Sequence, residues 1–283
     1  MKTAQLSFSI FEAVLSNYGF EVIPYFDSIH IGLDSTCDIA SVRILQSEYT
    51  SQNKNKIKIS PYSLMKRPTI NTKIELEQPE EALLTKLNDA LSGDYLINEV
   101  EFAIDICSKS IKKIEMLRTF FDDHMLYQSK SQGQDHFYHH RYVNQTDYFA
   151  KRRQRRGTLV VYNMPSSKIR YQPCVHIEMR ICYSTDLKDI GIYSLQDLID
   201  FLPDKFWKNR LDLRVLKFNQ LGHLTQPIET GLSMSSYQRR GQRLYENFHS
   251  AQHLLNDFPQ YEPAFMPITN RRMLESRLLR VLE

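Results

Sequence analysis

The sequence predicts an α+β fold, an antiparallel sheet with helices packed on one face and a helical C-terminal region. Two strand-like segments and the order of elements around them carry this. In VHIEMRI, Val175, Ile177, Met179 and Ile181 share one parity, while His176, Glu178 and Arg180 share the other. An extended strand buries the first set and presents the second. In NEVEFAIDIC, Val100, Phe102, Ile104 and Ile106 alternate with Glu101, Ala103 and Asp105. The order strand, helix, strand, strand, helix then favours helices laid on an antiparallel sheet.

Taken in order, Leu6 to Asn17 reads as an amphipathic helix, followed by alternating segments at Tyr25 to Leu33 and Ile39 to Leu45. Gly19 and Pro24 punctuate them. Ser51 to Lys73 is polar and basic and reads as a surface loop or hairpin. Pro79 to Leu91 is a helix with Glu80 and Glu81 at its positive end. Ile111 to Tyr127 and Leu195 to Leu202 are further helices, and Leu159 to Tyr162 is a strand. IHIGLD and FAIDI read as equivalent strands of a duplicated half. From about Asp212 the pattern turns helical. Ser236 is the expected cap of one helix, with Tyr237, Leu244, Phe248, Ala251, Leu255 and Phe258 as its stripe, and Asn270 to Leu282 forms the last. The expected division is 1–95, an α+β region; 96–215, the functional core; and 216–283, helical.

Composition sets the limits. With 283 residues and 42% hydrophobic content, the chain has ample material for a core. A net charge of +3 excludes an argument for anionic partners from total charge alone, so clustering must supply it. Four cysteines without C-x-x-C spacing read as reduced and buried. The N-terminus lacks a signal-peptide core, and no apolar window reaches the ~18 residues of a membrane span. A cytoplasmic location is the expectation.

The candidate chemistry starts from the basic run and the two alternating strands. Lys151, Arg152, Arg153, Arg155 and Arg156 place five cations in six residues beside Gly157, a run that suits phosphate oxygens. Arg180 and, further on, Arg239, Arg240 and Arg243 extend the cationic surface toward DNA. Asp105 and Glu178, with His176 on the same side, are the candidate ligands of a divalent metal, Mg²⁺ or Mn²⁺. The competing reading pairs Glu178 with Arg180 at an exposed sheet face. Tyr237, at a helix start beside three arginines, and Tyr162, in the strand before HIEMRI, are the candidate nucleophiles. His136, His139 and His140 lack cysteines at metal spacing and an obvious fourth ligand, so they read as a surface patch of imidazoles and aromatics.

YFAKRRQRRGTLVVYNMPSSKI, VHIEMRI and GIYSLQDLI together resemble replication initiation proteins of rolling-circle plasmids and filamentous phages. Tyr148-Phe149-Ala150-Lys151-Arg152 stands for that family's Tyr-Phe-Gly-Ser-Arg-like turn. Val161-Tyr162-Asn163 with Lys168 stands for its Tyr-Asp-Lys strand end, and His176-Ile177-Glu178-Met179-Arg180 for its Arg-x-Glu-x-Arg strand. Ala150, Asn163 and His176 depart from the pattern. The resemblance implies an HUH-endonuclease or RRM-like variant that binds origin DNA, double- and single-stranded. It also implies nicking of one strand with covalent attachment through tyrosine, and a host polymerase or helicase as partner. The alternatives are a non-catalytic origin-binding or regulatory protein on the same scaffold, and a single-stranded RNA-binding protein that stacks bases on sheet aromatics.

Overall fold

The computed structural model describes residues 6–51, 56–62, 69–131, 134–143, 146–149, 157–208, 210–225 and 232–283. Helix α1 (Phe8–Asn17) starts where the Ser7 hydroxyl accepts the Ile10 amide, and Gly19, at φ 77°, turns the chain into β1 (Glu21–Asp34). Next come α2 (Ile39–Ser51), β2 (Ile57–Pro61), β3 (Ile70–Glu77), α3 (Glu81–Ala90) and β4 (Tyr95–Cys107). Helix α4 (Ile111–His124), capped by Ser110, leads to the short strands β5 (Met125–Leu126), β6 (Ser129–Ser131), β7 (Gln134–His136), β8 (His140–Arg141) and β9 (Asp147–Phe149). Strands β10 (Thr158–Met164) and β11 (Cys174–Ile181) precede α5 (Ser184–Lys188), α6 (Leu195–Ile199) and α7 (Pro203–Trp207). The last third holds β12 (Asp212–Leu216), α8 (Phe218–Leu224), α9 (Met234–Tyr245), α10 (Ala251–Asp257), a 3₁₀ turn, β13 (Phe265–Pro267) and α11 (Arg271–Leu282).

Eight strands form one antiparallel sheet in the order β2-β3-β1-β4-β11-β10-β9-β8. Strand β4 is central, paired with β1 on one side and β11 on the other. Its Val100, Phe102, Ile104 and Ile106 enter the core, where Phe102 stacks on Phe206 at 3.9 Å and meets Phe201 and Phe26. Leu83, Leu84 and Leu87 of α3, and Ile114, Leu117, Phe120 and Phe121 of α4, join the same core. That core runs from Leu6 to Leu278, so residues from all three expected segments share it. None of the described helices is long and apolar enough to cross a membrane.

The duplication is visible in topology and register. β1-α2-β2-β3 and β4-α4-β10-β11 each place a long strand beside the second strand of a hairpin, and the two long strands pair across a pseudo-two-fold axis. In the first half Gly32, Ile31 and His30 oppose Lys73, Ile74 and Glu75. In the second, Asp105, Ile104 and Ala103 oppose His176, Ile177 and Glu178. Ser60 faces Lys73 as Tyr162 faces His176.

Three local expectations are corrected. Ile39 to Leu45 is helical, because Asp38 accepts the Ala40 amide at 2.9 Å and the Ser41 hydroxyl at 2.7 Å, a start signal stronger than the β-branched residues that follow. The region from Asp212 begins with a strand, held between β5 and β13. The long helix expected after Ser236 starts at Met234 and breaks after Tyr245, with Ser250 capping α10 on the His253 amide. The Ser51 to Lys73 stretch forms the β2–β3 hairpin, with residues 52–55 and 63–68 outside those described.

Helices α8 and α9 cross with backbones in contact at Gly222 and Gly241. A Cβ at Gly222 would run into the Tyr237 carbonyl oxygen, and one at Gly241 into that of Phe218. Gly222→Ala is therefore expected to destabilise the protein by about 1–3 kcal/mol through forced separation of the pair, read as a lower midpoint in chemical unfolding; an unchanged midpoint would rule out the close crossing.

Candidate active site

The polar face of β4 and β11 is buried at its centre. Asp105, His176 and Glu178 are 0%, 0% and 5% exposed. Direct pairing sets Asp105 opposite His176, and His176 opposite Tyr162 on β10. His176 Nδ1 lies 2.7 Å from Asp105 Oδ1, which also accepts the Tyr25 hydroxyl at 3.2 Å; Asp105 Oδ2 accepts the Ser167 hydroxyl at 2.5 Å. Both oxygens of Asp105 are thus committed to protein donors.

The other imidazole nitrogen is different. His176 Nε2 is buried without a hydrogen-bond partner among the described residues, 3.6 Å from Glu178 Oε2. Asp27 of β1 completes the group: Asp27, His176 and Glu178 each offer a ligand atom, all within 4.8 Å of one another. A β-bulge delivers Asp27. Phe26 pairs with Phe102 and Ser28 with Glu101, leaving Asp27 as the extra residue. Its carboxylate meets Lys168 Nζ at 2.7 and 2.9 Å and the Gln78 amide nitrogen at 2.8 Å. Two carboxylates and an imidazole whose second nitrogen is oriented by a carboxylate suit a divalent ion, with Asp105 behind the ligand.

Electrostatics follow from the burial. Burial opposes charge on His176, but the hydrogen bond to Asp105 and the nearby Glu178 carboxylate outweigh it and raise its pKa to about 9. Burial, then the Glu178 carboxylate, pushes Glu101 up to about 7. Arg180 bridges Glu178 at 3.0 Å and Glu101, so its guanidinium is engaged within the sheet face. Tyr162, its ring 4.8 Å from that of His176, has its phenol pushed above the ordinary range by burial, then by Glu178, Asp27 and Asp105. A cation bound among those carboxylates would reverse the last three effects.

Of the residues singled out in the sequence, Asp105, His176, Glu178, Arg180 and Tyr162 converge here. Tyr237 is 4% exposed between α8 and α9, its ring stacked on His223 at 3.6 Å, with the Arg240 guanidinium 5.6 Å from its centre. That is a packing position. Arg239 and Arg243 are exposed on α9. Lys151, Arg152, Arg153, Arg155 and Arg156 lie outside the described residues. His136 stacks on Tyr138 and His140 meets Tyr142 edge-on, whereas the side chain of His139 is 1% exposed. Asp27 escaped the sequence reading, although a signal was present. Apolar parity on β1 is even at Val22 and Phe26 and odd at Ile29, Ile31 and Leu33, and a switch of parity inside a strand marks a bulge.

No family model matches this sequence, and no curated protein matches it. Among solved structures, a rolling circle replication initiator protein from Geobacillus stearothermophilus is similar at 11% identity and a TM-score of 0.38, over 86% of this chain and 97% of that chain.

The raised pKa of His176 fixes a pH dependence. Against an unfolded value of about 6.5, the charged imidazole contributes stability fully below that pH and loses it as pH rises through about 9. Metal-free protein is therefore expected to melt at progressively lower temperature between about pH 7 and 9, and His176→Gln to flatten that limb; an equal slope in the variant would contradict the assignment.

Proposed function

We propose that the protein is a replication initiator of the rolling-circle kind, which binds an origin and nicks one DNA strand through Tyr162. The observation that carries the reading is the buried, unpartnered His176 Nε2, set within ligand distance of Asp27 and Glu178, with the Tyr162 ring 4.8 Å from the imidazole. The resemblance of YFAKR, VYN and HIEMR to short motifs of plasmid and phage initiators supports the reading at Tyr162 and Glu178, whereas His176 departs from that pattern and Asp27 lies outside it.

Asp27, His176 and Glu178 would hold the Mg²⁺ or Mn²⁺. When bound, the ion supplies Lewis acidity to the scissile phosphate and charge compensation at the leaving oxygen. Asp105 keeps the imidazole in the orientation that points Nε2 inward. Tyr162 attacks phosphorus, forming a 5′-phosphotyrosine as the bond to the 3′ oxygen breaks, and the free 3′-hydroxyl is a primer for a host polymerase. Lys168, paired with Asp27, sits where it can turn to a phosphate once a cation takes its place. The run Lys151 to Arg156, with Arg239, Arg240 and Arg243, would grip the backbone.

The test is incubation with supercoiled DNA carrying the protein's own origin, with Mn²⁺. Tyr162→Phe should abolish both relaxed product and protein–DNA adduct, Asp27→Asn should slow nicking by about 10² or more, and Tyr237→Phe should nick normally if it folds. Nicking by Tyr162→Phe at the wild-type rate would overturn the choice of nucleophile, and no nicking by folded wild type would favour a pure origin-binding protein.

A further inference from the structure

On the opposite face of the sheet lies a second cluster with different chemistry. Asp147 opposes Val161, a core residue, so its side chain faces the helices, whereas Tyr148 opposes Val160 on the other face. Asp147 is 1% exposed and accepts His139 Nε2 at 2.9 Å, Arg141 at 2.7 Å on each oxygen, and Arg118. Through Nε2 Asp147 orients the His139 ring, so Nδ1 is the nitrogen on the side away from that carboxylate.

Two more imidazoles meet His139 from more than a hundred residues away. His249 precedes the Ser250 cap of α10 and His253 lies in its first turn. Ring centroids are 5.0 Å apart for His139 and His249, 5.6 Å for His139 and His253, and 4.1 Å for His249 and His253. Three imidazoles bound to one tetrahedral ion at about 2.0–2.1 Å have centroids about 5 Å apart. His253 Nδ1 is buried with no hydrogen-bond partner among the described residues, and ligand atoms of His139, His249 and Asp147 lie within 4.8 Å of one another. Arg118 and Arg141 are each paired with Asp122 and Asp147.

We propose that His139, His249 and His253 form a site for a zinc-like transition-metal ion, with Asp147 behind His139, that clips α10 to the β8–β9 edge of the sheet. Three neutral nitrogens discriminate against Mg²⁺ and Ca²⁺, which take oxygen ligands, so this site and the carboxylate-rich one select different ions. His249 is exposed, so the cluster can be reached from solvent.

Full-length protein freed of metal by chelation is titrated with Zn²⁺ by calorimetry in excess Mg²⁺, and separately with Co²⁺ for its tetrahedral absorption bands. Wild type should bind one equivalent and melt at higher temperature. His249→Gln and His253→Gln, at positions that are not core, should each weaken binding by about a hundredfold or more and lose the melting shift, while Asp27→Asn keeps both. Wild-type affinity in the two histidine variants, loss of the Zn²⁺ equivalent in Asp27→Asn, or no binding by wild type would each overturn the proposal.

Discussion

Asp105 is a carboxylate with no exposed surface, and the arrangement of the polar face follows from the need to satisfy it. An isolated charge in that position would cost many kcal/mol, and a missing partner would leave several uncompensated. Three elements answer: β1 sends the Tyr25 hydroxyl, the β10–β11 connection sends the Ser167 hydroxyl, and β11 sends His176. The carboxylate therefore fixes the ring plane and proton position of His176, and through the ring decides which way Nε2 points. Without it, neither the strand register nor the core would determine that direction.

The strands on which this depends were plain in the sequence. Alternation in VHIEMRI and NEVEFAIDIC gave the correct faces of β4 and β11, because a strand with one continuous apolar parity has only one way to meet a core. Asp27 was missed because it belongs to no parity: a bulge places it between two runs of opposite phase, and a fixed period cannot register an inserted residue. Tyr237 has three arginine neighbours in sequence, but Arg239 and Arg243 lie on the outside of the helix, Arg240 lies over the Tyr237 ring, and the inner side packs Tyr237 on His223. His249 and His253 were invisible as partners of His139, since nothing in local spacing reports a contact across 110 residues.

The two faces of the sheet divide the electrostatic work. On the polar face, Glu99, Glu101, Glu178, Asp27 and Asp105 outnumber the cations among them, with Arg180 meeting Glu99, Glu101 and Glu178 and Lys168 meeting Asp27. Burial, then the negative potential there, holds the Tyr162 phenol above its ordinary range, and a cation bound among the carboxylates would offset the second effect. On the helix-bearing face, Arg118 and Arg141 pair with Asp122 and Asp147 beside the imidazoles of His139, His249 and His253.

The pseudo-two-fold axis has its own consequence. Where the C-terminal half has His176, Asp105 and Tyr162, the N-terminal half has Lys73, Gly32 and Ser60. Lys73 Nζ lies 3.1 Å from Glu75, the counterpart of Glu178. An ammonium tethered to the backbone is a permanent counterion, insensitive to chelators and unable to polarise a phosphate as a divalent ion does. The two halves of a nearly symmetric sheet thus differ in how positive charge reaches the same register position: one carries its own ammonium on Lys73, the other an imidazole set between the carboxylates of Asp105 and Glu178.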